Sequence, residues 1–163
     1  MTLFTKIYNA FFDKITDDMY LEFTKKETED DCQSILVNAL PAFEFPRFSL
    51  YNYTINDVLP DSDDTSFFTD DLTLEEINIL ALLMKKEWLQ RQVNSIELTR
   101  QKYYGSDFKL TSQANHLAKL IELGKYNDKE VNHLQRLYKR RKTDEDGKIM
   151  SNWADAVGKS ALD

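Results

Sequence analysis

The sequence predicts a mainly α fold, a helical bundle with a long antiparallel helical hairpin and an extended arm able to hold short strands. Three observations carry this. Apolar residues recur at helical spacing over most of the chain, one segment opens with a Thr-x-x-Glu box, and a long internal stretch without helical period, residues 41–72, is rich in aromatics and interrupted by Pro46 and Pro60.

The elements follow in order. Leu3, Ile7, Ala10, Phe11 and Ile15 share one face of an amphipathic helix running from Leu3 to about Ile15, flanked by a second line of Phe4, Tyr8 and Phe12. Thr24 to Leu40 reads as a second helix. Its first turns hold Glu27, Glu29, Asp30 and Asp31, where carboxylates suit the helix dipole, and Cys32, Ile35, Leu36, Ala39 and Leu40 form the buried face before Pro41 stops it. Residues 41–72 form the extended arm, closing in an acidic loop. Thr73 then opens the main helix through the box Thr73-Leu-Glu-Glu76. From Ile77 to Met84 seven of eight residues are apolar, so this part is expected to be buried nearly all round; Leu89, Val93, Ile96 and Tyr103 continue as a narrower seam, and Gly105 terminates the helix. A further helix runs from about Ser112 to Lys142, with Leu117, Leu120, Ile121, Val131, Leu134 and Tyr138 on one face. Gly124 inside it marks either a close helix approach or a break re-capped by Asn127 or Asp128. Each long helix would span roughly 45 Å at 1.5 Å per residue. The organisation expected is one helical domain over residues 1–142 and a C-terminal tail over 143–163, opening with a turn at Asp144-Glu-Asp-Gly147.

Composition narrows the function. The single cysteine, Cys32, excludes an internal disulfide framework and reads as a small half-buried side chain rather than a nucleophile. The longest apolar run is too short to span a bilayer and the start lacks a signal-peptide pattern, so a soluble cytoplasmic product without a membrane partner is expected. The net charge of −7 divides unevenly: residues 1–80 carry −12 and residues 81–163 carry +5. Such a chain can present an acidic and a basic end that stack head to tail, or fold so that the halves cancel.

No catalytic constellation emerges, and no cofactor or metal is expected. The four glycines, at 105, 124, 147 and 158, form no phosphate loop, and no cysteine pair is present for zinc. Glu130-Val-Asn-His133 has the Glu-x-x-His form used in carboxylate-bridged di-iron bundles. Its twin is missing, because His116 has Gln113 three residues before it, and a solvated helix face is the simpler reading. Neither acidic loop has the ligand pattern of a calcium-binding EF-hand.

The sharpest charge cluster is Arg136, Lys139, Arg140, Arg141 and Lys142 at the end of the last helix. Cations there favour the helix dipole; the functional reading is an anionic partner, either an acidic protein surface or DNA. A sequence pI of about 4.9 argues for the protein surface, since phosphate neutralisation drives DNA affinity. A small helical DNA-binding or regulatory protein using this basic helix is the alternative.

Three stretches carry a resemblance. The segments LTLEEINILALLMKKEWL (72–89), YGSDFKLTSQANHLAKL (104–120) and HLQRLYKRRK (133–142) resemble the head–tail connector, or neck adaptor, proteins of tailed bacteriophages. The likeness covers roughly residues 70–153, and the long aromatic arm departs from a minimal adaptor bundle. It implies a structural virion protein and not an enzyme, made in the host cytoplasm and located in the virion neck. It would form a ring of neighbouring copies, usually twelve, between the portal protein and the next neck or tail protein, with double-stranded DNA passing through. On this chain it implies a portal-binding part made of Arg136, Lys139, Arg140, Arg141, Lys142, Ile149, Met150 and Trp153. It also implies a channel-facing or tail-facing acidic loop of Asp57, Asp61, Asp63, Asp64, Asp70 and Asp71.

Overall fold

In the computed structural model, described for residues 1–15, 19–57, 62–102, 110–140, 142–143 and 149–150, the chain is mostly helical with a small three-stranded sheet. The described elements run β1 (Thr2–Leu3), α1 (Phe4–Phe12), α2 (Met19–Glu22), α3 (Lys25–Ala39), a 3₁₀ turn (Leu40–Ala42), β2 (Tyr53–Thr54), β3 (Phe67–Phe68), α4 (Leu74–Lys102), α5 (Leu110–Arg140), β4 (Lys142–Thr143) and β5 (Ile149–Met150). Among the described residues no helix is long and apolar enough to cross a membrane.

Helix α4 is the centre, touched by α1, α3 and α5. That is why residues 77–84 are apolar but for Asn78: Ile77 and the run Ile79 to Met84 are buried, and fully burying each large apolar side chain contributes about 1.5–3 kcal/mol. Farther along, Leu89 stays buried while Val93 and Ile96 are only half-covered, so the apolar requirement relaxes to one seam. Thr73 and Glu76 form the expected box: Glu76 Oε2 accepts from the Thr73 amide at 2.7 Å, and Thr73 Oγ1 accepts from the Glu76 amide at 3.2 Å.

Helix α3 buries the expected set, Cys32, Ile35, Leu36 and Ala39, with Leu40 following in the 3₁₀ turn. Its start is set by a second capping box, Thr24 with Glu27, which the acidic first turns had concealed as a dipole effect. Pro41 ends α3 by tightening the chain into the turn. Arg91 of α4 holds α3 from outside, donating to Asp31 Oδ1 at 2.7 Å and to Ser34 Oγ at 3.1 Å.

Several expectations are corrected. Helix α1 starts at Phe4, because Thr2 and Leu3 are taken into the sheet; Phe4, Ile7, Tyr8 and Phe11 face the core, while Ala10 and Ile15 are only partly buried. The turn of helix α2 was not expected, being too short to show a period. Helix α5 runs unbroken through Gly124, and a Cβ added there would meet nothing within 4 Å, so this glycine serves neither a break nor a close approach. Asn127 and Asp128 accordingly cap nothing. Asn127 is 1% exposed and donates from Nδ2 to the Leu82 carbonyl at 3.1 Å, and Asp128 pairs with Lys86 at 3.0 Å. Ile121, placed on the buried face, is exposed.

The arm folds back onto the core. Its strands complete a sheet of order β1-β3-β2, all antiparallel, with Thr2 opposite Phe68 and Phe68 opposite Tyr53. Phe68 is buried at the middle of the sheet, its ring centroid 4.8 Å from that of Phe4. The Phe4 amide donates to the Ser66 carbonyl at 2.9 Å and the Leu72 amide to Thr2 Oγ1 at 2.8 Å, so the N-terminal strand clamps both ends of this stretch. In the tail, β4 and β5 pair antiparallel, with Lys142 opposite Met150.

Candidate partner-binding surface

The arm meets the C-terminal part of α5 at residues 43–48. Phe43 is buried edge-on against Tyr138, with ring centroids 5.5 Å apart. The Glu44 amide donates to Gln135 Oε1, and the Arg47 amide donates to Tyr138 Oη at 3.1 Å. Beneath this corner lies a buried polar hub. Glu76, 1% exposed, accepts from Arg47 Nε at 2.9 Å, from Arg47 Nη2 at 2.8 Å and from Tyr138 Oη at 2.6 Å. Arg47 Nη2 also donates to the Asp71 carbonyl at 3.2 Å.

A two-pronged guanidinium–carboxylate pair is the strong form of such a contact. Burial alone would raise the Glu76 carboxyl, but the hydrogen bonds from Arg47, Tyr138 and the Thr73 amide outweigh it and hold the group below its ordinary value. The bond to Glu76 pushes the Arg47 guanidinium further up. Tyr138 is pushed up to about 12, first by burial and then by its bond to Glu76. All three therefore hold one charge state at neutral pH, and the hub is a structural clamp that fixes the arm to α4 and α5 at once.

What the clamp presents outward is basic and aromatic. Arg136, Lys139 and Arg140 are exposed on the last turns of α5. Phe45 is 62% exposed, and Lys139 Nζ lies 3.9 Å from its ring centroid, a cation–π contact. Arg47 sits 5.0 Å from the ring centroid of Phe48, which is also exposed. Phe45 has φ 56°, a left-handed conformation that a bulky side chain adopts only at a cost. Its ring lies outward beside Lys139. A shallow cleft of about 380 Å³, lined by Glu44, Lys129, Asn132 and Arg136, adjoins the same turns.

Of the basic set expected to bind a partner, Arg136, Lys139 and Arg140 come together here. Lys142, Ile149 and Met150 lie in the β4–β5 pair, which directly follows this end of α5. Arg141 and Trp153 lie outside the described residues. Sequence reasoning missed Phe45, Phe48 and Arg47 as members of the surface. They sit some 90 positions before Lys139, and only the hub joins the two segments.

The acidic residues are less uniform than expected. Asp57, Asp63 and Asp71 are exposed and Asp70 is half-buried. Asp64 is 1% exposed, accepting from Tyr8 Oη at 2.8 Å and from the Ser66 amide at 2.7 Å, so it supports the fold instead of facing outward. Asp61 lies outside the described residues. Glu130 and His133 are both solvent-exposed on α5, and among the described residues no three His, Cys, Asp or Glu side chains are arranged to hold a metal ion. Cys32 is fully buried, and burial pushes its thiol well above the ordinary value, which keeps it protonated and inert.

Comparison with known proteins adds no relative: no family model, curated protein or solved structure matches the chain.

Proposed function

We propose that the chain is a non-enzymatic structural protein of the phage virion neck, an adaptor that joins the portal protein to the next neck or tail component and lets DNA pass. The observation that carries the reading is the surface at the end of α5, where exposed Arg136, Lys139 and Arg140 meet the exposed rings of Phe45 and Phe48. Cations interleaved with aromatic anchors are the composition of protein-interface hot spots. The resemblance over residues 70–153 supports the same reading.

On this proposal, α4 and α5 form the long antiparallel hairpin, with the basic corner and the β4–β5 pair toward the portal, and copies of the chain close into a ring, usually of twelve. The exposed members of the acidic loop, Asp57, Asp63 and Asp71, face the channel or the next tail component. The protein is made in the host cytoplasm and resides in the virion neck.

The test is binding to the cognate portal protein by variants that keep the fold. Reversing charge at Arg136, Lys139 and Arg140 together, or deleting residues 143–163, is expected to abolish joining while the circular dichroism spectrum is retained. Unchanged joining counts against the proposal.

One observation favours a second reading. Exposed rings stacked with cations also suit unpaired nucleic-acid bases. A small DNA-binding or regulatory protein would then show binding that falls steeply with salt; flat or absent binding ends that alternative.

A further inference from the structure

The basic corner continues along α5 toward its middle. Lys125, Lys129, Asn132, Arg136 and Lys139 are spaced four, three, four and three positions apart, so they form one stripe of the helix, and all of them are exposed. At 1.5 Å per residue the stripe is about 21 Å long. Two clefts follow it. The one of about 380 Å³ is lined by Glu44, Lys129, Asn132 and Arg136. The other, of about 180 Å³, opens where α4 lies against α5. The helices are joined there by Asn127 Nδ2, which donates to the Leu82 carbonyl at 3.1 Å, and by the Lys86–Asp128 pair at 3.0 Å.

The smaller cleft is aliphatic. Leu89 and Leu120 line it from buried positions, Val93 is half-covered and Ile121 is exposed. Gly124 lines it too; a Cβ there meets nothing within 4 Å, so a methyl narrows the cleft without closing it. Cations thus run the length of the valley, and aliphatic side chains hold one end of it. A valley between two packed helices takes a third helix, whose ridge of side chains fills the groove. Lys86, Lys125, Lys129, Arg136 and Lys139 outnumber the carboxylates that line the clefts, Glu44 and Asp128, so the complementary face is acidic. A polynucleotide fits less well. Its phosphates leave the aliphatic cleft unfilled and recur too evenly to step past Glu44 and Asp128, whereas a helix can set one carboxylate per turn.

Taking the end of α5 as a partner-binding surface, the reading on which this rests, we infer that the valley seats an acidic amphipathic helix of the partner protein. An aliphatic side chain of that helix fills the cleft beside Leu89, Val93 and Ile121, and its carboxylates meet Lys125, Lys129 and Arg136. The exposed rings of Phe45 and Phe48 then close the far end of the seat.

The full chain is titrated with a fluorescent helical peptide of repeat Leu-Glu-Glu-Leu-Gln-Glu-Gln. The same repeat with Lys for Glu, the same repeat with Ser for Leu, and a single-stranded oligothymidylate serve as controls. Saturable binding of the acidic leucine helix is expected, with backbone amide shifts in NMR at Ile121, Lys125, Lys129 and Asn132, and at least about tenfold weaker binding of each control. Lys129→Glu with Arg136→Glu is expected to weaken it about tenfold or more, and so is Ile121→Lys, whose exposed position leaves the fold intact. No binding of the acidic helix, equal binding of a control, or an Ile121→Lys variant that binds like the parent overturns the inference. So does self-association of the free chain that Ile121→Lys abolishes, which assigns the valley to a second copy. Portal joining separates the two readings. No acidic-helix binding beside portal joining that charge reversal abolishes sinks this inference alone. Acidic-helix binding beside portal joining that charge reversal leaves unchanged supports it and sinks the portal reading.

Discussion

Tyr138 Oη, near the end of α5, donates a 2.6 Å hydrogen bond to Glu76 Oε1, at the first turn of α4, across 62 positions of sequence. Arg47 of the arm grips the same carboxylate with two donors. One buried charge thus registers three segments that have no local reason to meet, and the basic–aromatic corner is the outer face of that registration.

Removing Glu76 therefore does more than shorten a side chain. Glu76→Ala leaves the Arg47 guanidinium without its carboxylate, removes the acceptor for Tyr138 and breaks the Thr73 box. A loss of about 3–5 kcal/mol is expected in urea denaturation, the scale for breaking a buried pair from one side.

Stability should respond to acid with two opposite contributions. The folded-state pKa of Glu76 is lowered, so its contribution is fully present above the ordinary carboxylate range and is lost as pH falls through the depressed value. That of Glu29 is raised by burial, so its ionised form opposes folding at neutral pH, and stability is gained as pH falls from the raised value toward the ordinary range. Glu29→Gln is expected to add about 1 kcal/mol at neutral pH and to remove the second effect, whereas Glu76→Gln removes the first. Denaturation midpoints measured across acid pH check both.

Gly124 offers a stabilising change. It lies inside α5, and a Cβ there meets nothing within 4 Å. Gly124→Ala is expected to raise stability by about 1 kcal/mol, read as a higher thermal midpoint, with partner binding unchanged.

Phe45 separates stability from binding. Its ring is mostly exposed and its backbone is left-handed, so glycine relieves strain while deleting the ring beside Lys139. Phe45→Gly is expected to leave stability level or higher by about 1 kcal/mol and to weaken partner binding about tenfold or more. Calorimetry of the free chain and titration against the proposed portal partner give the two readings.

The local features were legible and the long-range ones were not. Thr73-x-x-Glu76 was readable because a capping box is complete within four residues. The run Ile77 to Met84 announced burial because no face of it is polar, and the buried side of α3 followed from its period. The hub was illegible: Glu76 looks like an ordinary cap, and nothing near it in sequence foretells Arg47 or Tyr138. Asp64 looked like one more loop carboxylate, and only its meeting with Tyr8, 56 positions away, buries it. Short strands in the arm were expected, but their positions and the N-terminal strand that completes the sheet were not, since two residues show no alternation. Phe45 and Lys139 belong to one surface because the hub brings their segments together, so the aromatic half of the candidate site was invisible to a reading that followed the charges alone.

The most direct measurement is cryo-electron microscopy of isolated virions or neck complexes. The account predicts a ring of helical density below the portal in which this chain can be traced, with the end of α5 and the residues at 142–150 against the portal and Phe45 at the contact. Absence of the chain from virions, or a ring in which that corner faces solvent, would contradict it.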